Sequence, residues 1–168
     1  ALRAARELEK VTQVILVGQE SVLKAELAKH GPTPGKIVIH HCTEVVDMGE
    51  SPAVAVRRKK DSSINVSVDL VKQGRADALF SAGSTGAQVA ASTLKLRTLD
   101  GVQRPAIATV FPSPIKPFVV IDAGANTDST PTMLLELAVM GMVYARDILG
   151  VANPRIGLMS VGEEEAKG

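Results

Sequence analysis

Three loops of the sequence combine small residues with polar ones in a way that is typical of oxyanion binding. The first loop, Ser81-Ala82-Gly83-Ser84-Thr85-Gly86, follows the apolar run 76–80 and precedes a helical pattern. The first N–H groups of a helix lack intrahelical partners, and the helix dipole adds partial positive charge there. Small side chains would let a phosphate reach these N–H groups, and the hydroxyls of Ser81, Ser84 and Thr85 would add donors. The alternative is a tight turn whose small residues serve packing.

A second loop of the same kind is Asp122-Ala123-Gly124-Ala125-Asn126-Thr127-Asp128. Its glycine and alanines leave the backbone accessible to an anion, as in the first loop. The amide of Asn126 can donate to an oxyanion, while Asp122, at the end of an apolar run, can orient its neighbours or accept a proton. Asp128 and Ser129 are predicted to cap the helix that follows.

The third loop, Gly162-Glu163-Glu164-Glu165-Ala166-Lys167-Gly168, contains acids beside a lysine. Its carboxylates would repel phosphate, so the first interpretation is a solvated helix start, where acids are stabilised by the helix dipole. The second interpretation is that one inward glutamate orients Lys167.

Histidine and cysteine lie together just past the second predicted strand, at His40-His41-Cys42. One histidine can face the sheet while the other faces a ligand. No accompanying Cys/His/Glu spacing supports a metal site. A nucleophile pair of Cys42 and His41 is disfavoured, because sequence neighbours rarely have the geometry that activation requires. The run Arg57-Arg58-Lys59-Lys60 is interpreted as a helix-end charge cluster, with the border of an anionic-substrate site as the alternative.

Alternating strands and helices must position these loops. Apolar runs predict strands over 13–17, 36–40, 76–80, 105–111, 118–121 and 155–161, and periodic patterns predict helices over 1–11, 21–30, 51–60, 64–73, 85–96 and 132–149. Ser51-Pro52 and Thr130-Pro131 mark helix starts, and Gly74 and Gly150 mark helix ends. Strands that are apolar on both faces indicate a mostly parallel sheet covered by helices on both sides. Ligands bind at the carboxyl ends of such strands, where the three loops begin. The short connection between the fourth and fifth strands predicts an antiparallel pair or a bent continuation.

The composition excludes several functional classes. The chain has 168 residues, of which 45% are apolar, and this suits one α/β domain over residues 1–168. A net charge of +1 and an aromatic content of 2% argue against a nucleic-acid partner. The one cysteine permits no internal disulfide, which fits a reducing cytosol. No apolar run approaches the roughly 20 residues of a membrane span.

Four motifs occur in order along the chain. They are Ser81-Ala82-Gly83-Ser84-Thr85-Gly86-Ala87, Arg104-Pro105-Ala106-Ile107-Ala108, Asp122-Ala123-Gly124-Ala125-Asn126 and Gly162-Glu163-Glu164-Glu165-Ala166-Lys167-Gly168. Together they resemble the bacterial phosphate acyltransferase family. Further segments look like the family's pattern, namely His41, Glu44-Val45-Val46, Ser51-Pro52 and Arg57-Arg58-Lys59-Lys60-Asp61-Ser62-Ser63.

The chain also departs from the family's pattern. Family members usually have asparagine where this chain has Ser84. The family's opening strand, with its Asp-Ala-Met-Gly-Gly-Asp motif, and the segment that follows the glutamate-rich loop are not in the sequence. We therefore expect a fragment of a longer chain, similar to the N-terminal part of such an enzyme.

The resemblance implies a fold, an activity and a set of site residues. The implied fold is a three-layer α/β/α sandwich with a mostly parallel sheet, similar to phosphate acetyltransferases and isocitrate-type dehydrogenases, in a homodimer. The implied activity moves a fatty acyl group from acyl carrier protein to inorganic phosphate for phospholipid synthesis, with no cofactor and no metal. The enzyme would be cytoplasmic, or peripheral on the inner face of the cell membrane through a part not in this chain. The implied catalytic residues are Asn126, Lys167 and His41, and the implied phosphate- or substrate-binding residues are Ser81, Gly83, Ser84, Thr85, Gly86, Asp122, Gly124, Ala125, Glu163 and Glu164.

The expected mechanism is direct attack of phosphate on a thioester, with no acyl-enzyme. Hydrogenphosphate is a nucleophile at neutral pH, and a pantetheine thiolate resembles a cysteine thiolate, whose pKa is about 8.5, so it leaves without strong acid help. One alternative is a short-chain phosphate acetyl- or butyryltransferase that uses coenzyme A. Another is a non-catalytic module that binds acyl carrier protein. The Walker A and Gly-x-Gly-x-x-Gly spacings are absent, which disfavours a nucleotide-dependent enzyme.

Overall fold

The structure is a computed structural model that describes residues 1–126 and 128–159. The chain divides into two compact units, Ala1–Arg97 and Thr98–Gly168. In the described residues, the first unit contains a parallel strand pair with five helices, and the second contains an antiparallel strand pair with one long helix. No helix within these described ranges is both long and apolar enough to cross a membrane.

The parallel strand pair of the first unit confirms the first two predicted strands. Strands β1 (Val14–Gly18) and β2 (Ile37–His41) pair in register from their first residues to their last. Both consist largely of β-branched and apolar residues, which favour a pleated, half-buried surface. Because the strands are parallel, their carboxyl ends, at Gly18 and His41, lie at the same edge.

Two helices accompany this strand pair. Helix α1 spans Leu2–Glu7, shorter than predicted, because Leu8 takes an extended conformation with φ −95° and ψ 106°. Helix α2 spans Glu20–Ala28 and connects β1 to β2. The β1–α2–β2 unit therefore places the start of α2 beside the carboxyl end of β2.

Three further helices form the hydrophobic core of the first unit. They are α3 (Pro52–Arg58), α4 (Ser63–Lys72) and α5 (Thr85–Lys95). The core consists of short or β-branched side chains from all three helices: Val56, Ile64, Val68, Ala87 and Ala91. The small buried residues of α5 let its backbone approach α3 and α4 closely. The start of α5, where the first candidate loop ends, is therefore held on a packed surface.

The predicted strand over 76–80 is not formed. The residues 76–80 join no strand ladder in the described part of the chain, and the Phe80 side chain is 94% exposed. The N–H groups of Arg75 and Ala76 instead donate to the carbonyl of Leu70, and Gly74 adopts a left-handed φ of 68°. The beginning of this segment therefore caps the C-terminus of α4, because the last carbonyls of a helix have no intrahelical partner and accept from the N–H groups that follow.

The strand pair of the second unit is antiparallel, as one of the two sequence alternatives predicted. Strands β3 (Thr109–Phe111) and β4 (Phe118–Val120) are shorter than the predicted strands 105–111 and 118–121. The rings of Phe111 and Phe118 stack with centroids 5.8 Å apart. Residues before Thr109 leave the ladder because their backbone groups bond to the second candidate loop, as described below.

The long helix of the second unit begins at the predicted pair Thr130-Pro131, but its cap is not the one predicted at Asp128 and Ser129. Helix α6 spans Pro131–Asp147, and its N-cap is Thr130, whose hydroxyl accepts from the N–H of Met133 at 3.3 Å. The cap predicted at Asp128 and Ser129 is therefore wrong by one or two residues, since the proline at the first helical position requires the residue directly before it to be the cap.

The last predicted strand, over 155–161, is not formed by its described part. Residues 155–159 join no ladder with any described segment, and 160–161 lie outside the described residues. The observed fold is mixed α/β, with a two-stranded parallel sheet and a two-stranded antiparallel sheet. The predicted α/β class is confirmed at this level, while the described sheets are smaller than the predicted one because an apolar run supplies no partner for its own backbone groups.

Candidate functional site

The loop Ser81–Gly86, which we call the serine loop, leads directly into α5. Its side chains turn back onto its own backbone. The hydroxyl of Ser84 is the N-cap of α5 and accepts from the N–H of Ala87 at 3.2 Å. The hydroxyl of Ser81 accepts from the N–H of Gly83 at 3.2 Å. These two bonds fix the shape of the loop, as expected where serine precedes a helix.

Several donors of the serine loop remain unused. The backbone N–H groups of Ser84, Thr85 and Gly86 donate to no described residue, because they precede the first intrahelical bond, from Gln88 to Ser84. The Ser81 and Ser84 hydroxyls accept their bonds through oxygen, so their hydrogens can still donate. The loop therefore offers a small group of N–H and O–H donors at the positive end of an 11-residue helix.

The glycine at position 86 is explained by packing, whether or not a ligand binds. A Cβ at this position would lie 2.7 Å from Cγ of Pro52 and 3.2 Å from its Cβ. Atoms of a proline ring cannot rotate away, so only glycine allows α5 to approach the start of α3 this closely. Both interpretations of the small residues thus have support: packing at Gly86 and free donors along the rest of the loop.

In the segment Asp122–Asn126, which we call the aspartate loop, the N–H groups of Ala123, Ala125 and Asn126 and the side-chain amide of Asn126 already have partners. Oδ1 of Asp122 accepts from the N–H of Ile107 at 2.9 Å and from that of Ala125 at 3.0 Å. Oδ2 accepts from the backbone N–H and the side-chain Nδ2 of Asn126, both at 2.7 Å. The N–H of Ala123 donates to the carbonyl of Ile107 at 2.9 Å. The anion in this loop is therefore the carboxylate of its own first residue.

These donors control the charge of Asp122. Partial burial acts to raise the pKa of this carboxyl, but the N–H groups of Ile107 and Ala125 and the side chain and N–H of Asn126 lower it, and the net direction of the pKa is downward. Asp122 is thus held ionised, which makes it an acceptor at neutral pH. The sequence-based alternative in which Asp122 orients its neighbours agrees with this geometry.

The amide of Asn126 is fully used as a donor. Its Nδ2 donates to Oδ2 of Asp122 at 2.7 Å and to the carbonyl of Pro105 at 3.1 Å. An amide nitrogen carries two hydrogens, so donation to a ligand would require one of these bonds to break. Among the described residues, Oδ1 of Asn126 accepts no hydrogen bond. The polar atom that Asn126 can offer to a ligand without rearrangement is therefore an acceptor.

His41 lies at the carboxyl end of β2 and contacts the start of α2. Its Nδ1 accepts from the N–H of Glu20 at 3.1 Å, so the neutral ring carries its hydrogen on Nε2. Thr43, two residues further along the chain, donates both its N–H and its hydroxyl to Oδ2 of Asp61, at 2.7 and 2.6 Å. Hydrogen bonds from the Thr43 hydroxyl and then its N–H lower the pKa of Asp61. Nε2 of His41 is the ring atom left for a substrate.

Cys42 is unsuited to act as a nucleophile. Its side chain is fully buried, and its Sγ lies 3.9 Å from the carbonyl of Glu44, to which it donates. Burial, and then the charge of Asp61, raise the pKa of the thiol. Because the thiolate is the reactive form, the structure supports the sequence-based judgement against a pair of Cys42 and His41.

The predicted site residues fall into separate groups. The structure brings Ser81, Gly83, Ser84, Thr85 and Gly86 together in the first unit and Asp122, Gly124, Ala125 and Asn126 together in the second. Glu163, Glu164 and Lys167 lie outside the described residues. His41 belongs to the first unit but to the edge of the strand pair.

One residue of this region had no role in the sequence-based prediction. Arg104 and Asn126 line a surface hollow, with the α6 side chains Met133, Glu136, Leu137 and Met140. The motif that begins Arg104-Pro105 could have pointed to this arginine, but an arginine in a charged loop is more often exposed to solvent than part of a site. The shared hollow and the bond from Asn126 to the carbonyl of Pro105 show that this arginine adjoins the aspartate loop.

Comparisons with known proteins cover the whole chain. A family model described as fatty acid synthesis protein matches residues 1–168. The chain is 52% identical over 168 residues to a protein of Desulfitobacterium hafniense (strain DSM 10664 / DCB-2) named phosphate acyltransferase. The matched region covers 100% of this chain and 49% of that protein. It is 50% identical to the protein of that name from Geobacter sulfurreducens, over 100% of this chain and 48% of that one. With the protein of that name from Halothermothrix orenii, identity is 48% over 156 residues, 93% of this chain and 47% of that one. The chain thus spans about half the length of the curated relatives it matches.

Proposed function

The chain belongs to the fatty acid synthesis protein family, and from this premise we propose that the whole protein transfers a fatty acyl group from acyl carrier protein to inorganic phosphate. The product would be an acyl phosphate for phospholipid synthesis. The observation that carries the proposal is 52% identity, over all 168 residues, to a protein named phosphate acyltransferase. The free donors of the serine loop support it, because they suit an oxyanion.

The setting of this activity is part of the proposal. We propose that residues 1–168 form one α/β domain of a three-layer α/β/α sandwich, of the kind seen in phosphate acetyltransferases and isocitrate-type dehydrogenases, within a homodimer. The partners are acylated acyl carrier protein and inorganic phosphate. The protein works in the cytoplasm, or peripherally on the inner face of the membrane through a part outside this chain. The mixed α/β character of the described residues is compatible with this fold.

The proposed reaction needs positioning more than acid–base chemistry. A phosphate oxygen attacks the thioester carbonyl, the C–O bond forms, and the carbonyl oxygen becomes an oxyanion. The C–S bond then breaks, and the sulfur leaves with its electron pair as a thiolate. Holding two anionic partners together and stabilising the oxyanion with preorganised donors can each lower the barrier by several kcal/mol.

The serine loop is proposed to hold the phosphate. The N–H groups of Thr85 and Gly86 and the hydroxyl hydrogens of Ser81 and Ser84 are the donors, and Gly83 keeps the backbone accessible. The hydroxyl oxygens of Ser81 and Ser84 accept bonds from within the loop, and their hydrogens remain available to donate. The loop thus requires no rearrangement before an anion binds.

The aspartate loop is proposed to supply further substrate-binding residues. Asp122, Gly124 and Ala125 form its fixed frame, and Asn126 is its catalytic residue, with Oδ1 able to accept the O–H of hydrogenphosphate. His41 can donate from Nε2. From outside the described residues, Lys167 is proposed to stabilise the oxyanion, with Glu163 and Glu164 as substrate-binding neighbours.

The test is an assay of the full-length protein with long-chain acyl carrier protein and phosphate. We expect acyl phosphate to form only when both substrates are present. Preference for short-chain coenzyme A thioesters would favour a phosphate acetyl- or butyryltransferase instead. Binding of acyl carrier protein without product would favour a non-catalytic module. Radioactive acyl label bound to Cys42 or to a serine would contradict direct attack.

An Asn126→Ala variant tests the site within the same assay. Loss of its amide releases Pro105 and one bond of Asp122, so we expect kcat/KM to fall about 100-fold, the scale of a misplaced catalytic group. The control is Thr93→Ala on α5, whose hydroxyl only bonds to the Val89 carbonyl of its own helix. Equal activity of the two variants would remove Asn126 from the proposed site.

A further inference from the structure

The backbone of Arg104 is fixed on both sides. The N–H of the preceding Gln103 donates to Oε2 of Glu136 at 3.0 Å, and the carbonyl of the following Pro105 accepts from Nδ2 of Asn126 at 3.1 Å. Within residues 1–126 and 128–159, however, the side chain of Arg104 makes no hydrogen bond and no ion pair. A cation on an anchored backbone, without a protein partner in that range, is available to a ligand.

The surroundings of Arg104 strengthen its attraction for an anion. Arg104 is exposed, and the hollow that it lines also contains the apolar side chains of Met133, Leu137 and Met140 of α6. Charges interact more strongly beside apolar side chains than in open water. Glu136 lies in the same lining, where its Oε2 accepts from the N–H of Gln103. Within the described ranges no ion pair joins Glu136 to Arg104, so the guanidinium group keeps its donors for a ligand.

The aspartate loop increases the need for such a cation. Its N–H groups at Ala125 and Asn126 already donate to Asp122, so they cannot serve an incoming oxyanion. An anion that approached this loop without a cation would meet the negative charge of Asp122. Arginine is suited to this position, because its five donors can bind two oxygens of a phosphoryl group at once.

We propose that Arg104 is a substrate-binding residue that holds a phosphoryl oxyanion beside Asn126. This inference rests on the proposed function and adds to it a cationic contact for the anionic substrate. The oxyanion has two sources in that reaction, inorganic phosphate and the phosphodiester that links pantetheine to the carrier protein. Both present oxygens of the same chemistry to the guanidinium group.

Steady-state kinetics of the full-length protein tests the proposal with Arg104→Gln and Arg104→Lys. We expect the glutamine variant to raise one KM about 10- to 100-fold, the scale of one charge-assisted hydrogen bond, and lysine to restore part of the affinity. A raised KM for phosphate identifies inorganic phosphate as the ligand, and a raised KM for acyl carrier protein identifies the phosphodiester. Unchanged KM values for both substrates, or a fall in kcat alone, would overturn the proposal.

Two controls separate this proposal from loss of folding and from failure of the proposed function. Arg146→Gln removes an exposed arginine of the same unit that pairs with Asp147, and it should leave both KM values unchanged. Direct binding of phosphate, followed by the rise in Tm, and of carrier protein, followed by titration, needs no turnover. A wild-type protein that binds one of them without making acyl phosphate would refute the proposed function. Arg104 would still be supported if its glutamine variant lost that binding, and refuted if it did not.

Discussion

In the serine loop the N–H groups of Thr85 and Gly86 have no described partner, whereas in the aspartate loop those of Ala125 and Asn126 donate to Asp122. Both loops consist of small residues before a helix, and the sequence suggests the same function for both. Their difference comes from the first side chain. A serine hydroxyl at the start accepts one N–H, while an aspartate carboxylate accepts several.

An internal carboxylate changes what such a loop can do. The tethered Asp122 is always present at high local concentration, so an external phosphate cannot easily displace it. The aspartate loop is therefore a rigid frame that joins residues 105–107 to the segment before α6. The serine loop, which lacks a carboxylate, keeps its donors for a ligand. Each of the following predictions tests one side of this difference.

The largest effect is expected for Asp122→Ala. It removes the acceptor of four donors, at Ile107 N, Ala125 N, Asn126 N and Asn126 Nδ2. Because hydrogen bonds to a charged group are the stronger kind, we expect the opening free energy of this segment to fall by about 3 kcal/mol. Amide hydrogen exchange of the full-length protein measures it at residues 107, 125 and 126.

Asp122→Asn is the matched control for that variant. It keeps the shape and one acceptor oxygen but loses the charge, so exchange at the same amides should lie between wild type and Asp122→Ala. If Asp122→Ala protected these amides as well as wild type does, the aspartate loop would not depend on its carboxylate. The contrast between the two loops would then be lost.

The next largest effect is expected at the contact between Gly86 and Pro52. In Gly86→Ala the new Cβ would lie 2.7 Å from Cγ of Pro52, so α5 must move away from α3. Overpacking of this kind should lower the free energy of unfolding of the first unit by about 2 kcal/mol. Gly83→Ala is the control, because its Cβ would meet only Oγ of Ser81 at 3.4 Å. Urea unfolding followed by exchange in α5 measures both, and equal stabilities would refute the packing role.

Local patterns explain what could be predicted from the sequence. The Ser51-Pro52 and Thr130-Pro131 pairs mark helix starts because proline suits the first helical position, and both helices begin there. Glycines at 74 and 150 follow helices and adopt left-handed φ values of 68° and 69°. Strands β1 and β2 were found from their apolar runs. Each of these signals depends on neighbouring residues alone.

Features that depend on distant partners could not be predicted. The apolar run 76–80 resembles a strand in composition. A strand forms only where another strand offers free backbone groups for pairing, and the run itself does not encode such a partner. The donors of the aspartate loop were predicted to be free because no local rule shows that Ile107 would share the carboxylate of Asp122. Arg104 was passed over for the same reason, since its contact with this region runs through the bond between Asn126 and Pro105.

A smaller effect is expected for Ser84→Ala, which removes the cap of α5. Loss of the bond from Ala87 N–H to the serine hydroxyl should destabilise the start of α5 by about 1 kcal/mol. Ser84→Asn should leave stability unchanged, because asparagine is an equally good cap. Exchange at Ala87 measures the effect. An alanine variant with wild-type protection at Ala87 would show that the serine loop is held by its backbone alone.

The smallest effect is expected from mild acid, and it separates the loops without any substitution. The folded-state pKa of Asp122 is lowered below 3.8, so its stabilising contribution is complete well above that pH and is lost as the pH falls through the folded pKa. At pH 4 the loss can be no more than about 0.4 kcal/mol, because an unfolded aspartate is then only about half protonated. The Ser84 cap has no titrating group in its hydrogen bond with Ala87, so its contribution should not change. Exchange measured between pH 5 and pH 3 should therefore show progressive opening at residues 125 and 126 before any at Ala87, and simultaneous opening would contradict the distinct roles of the two loops.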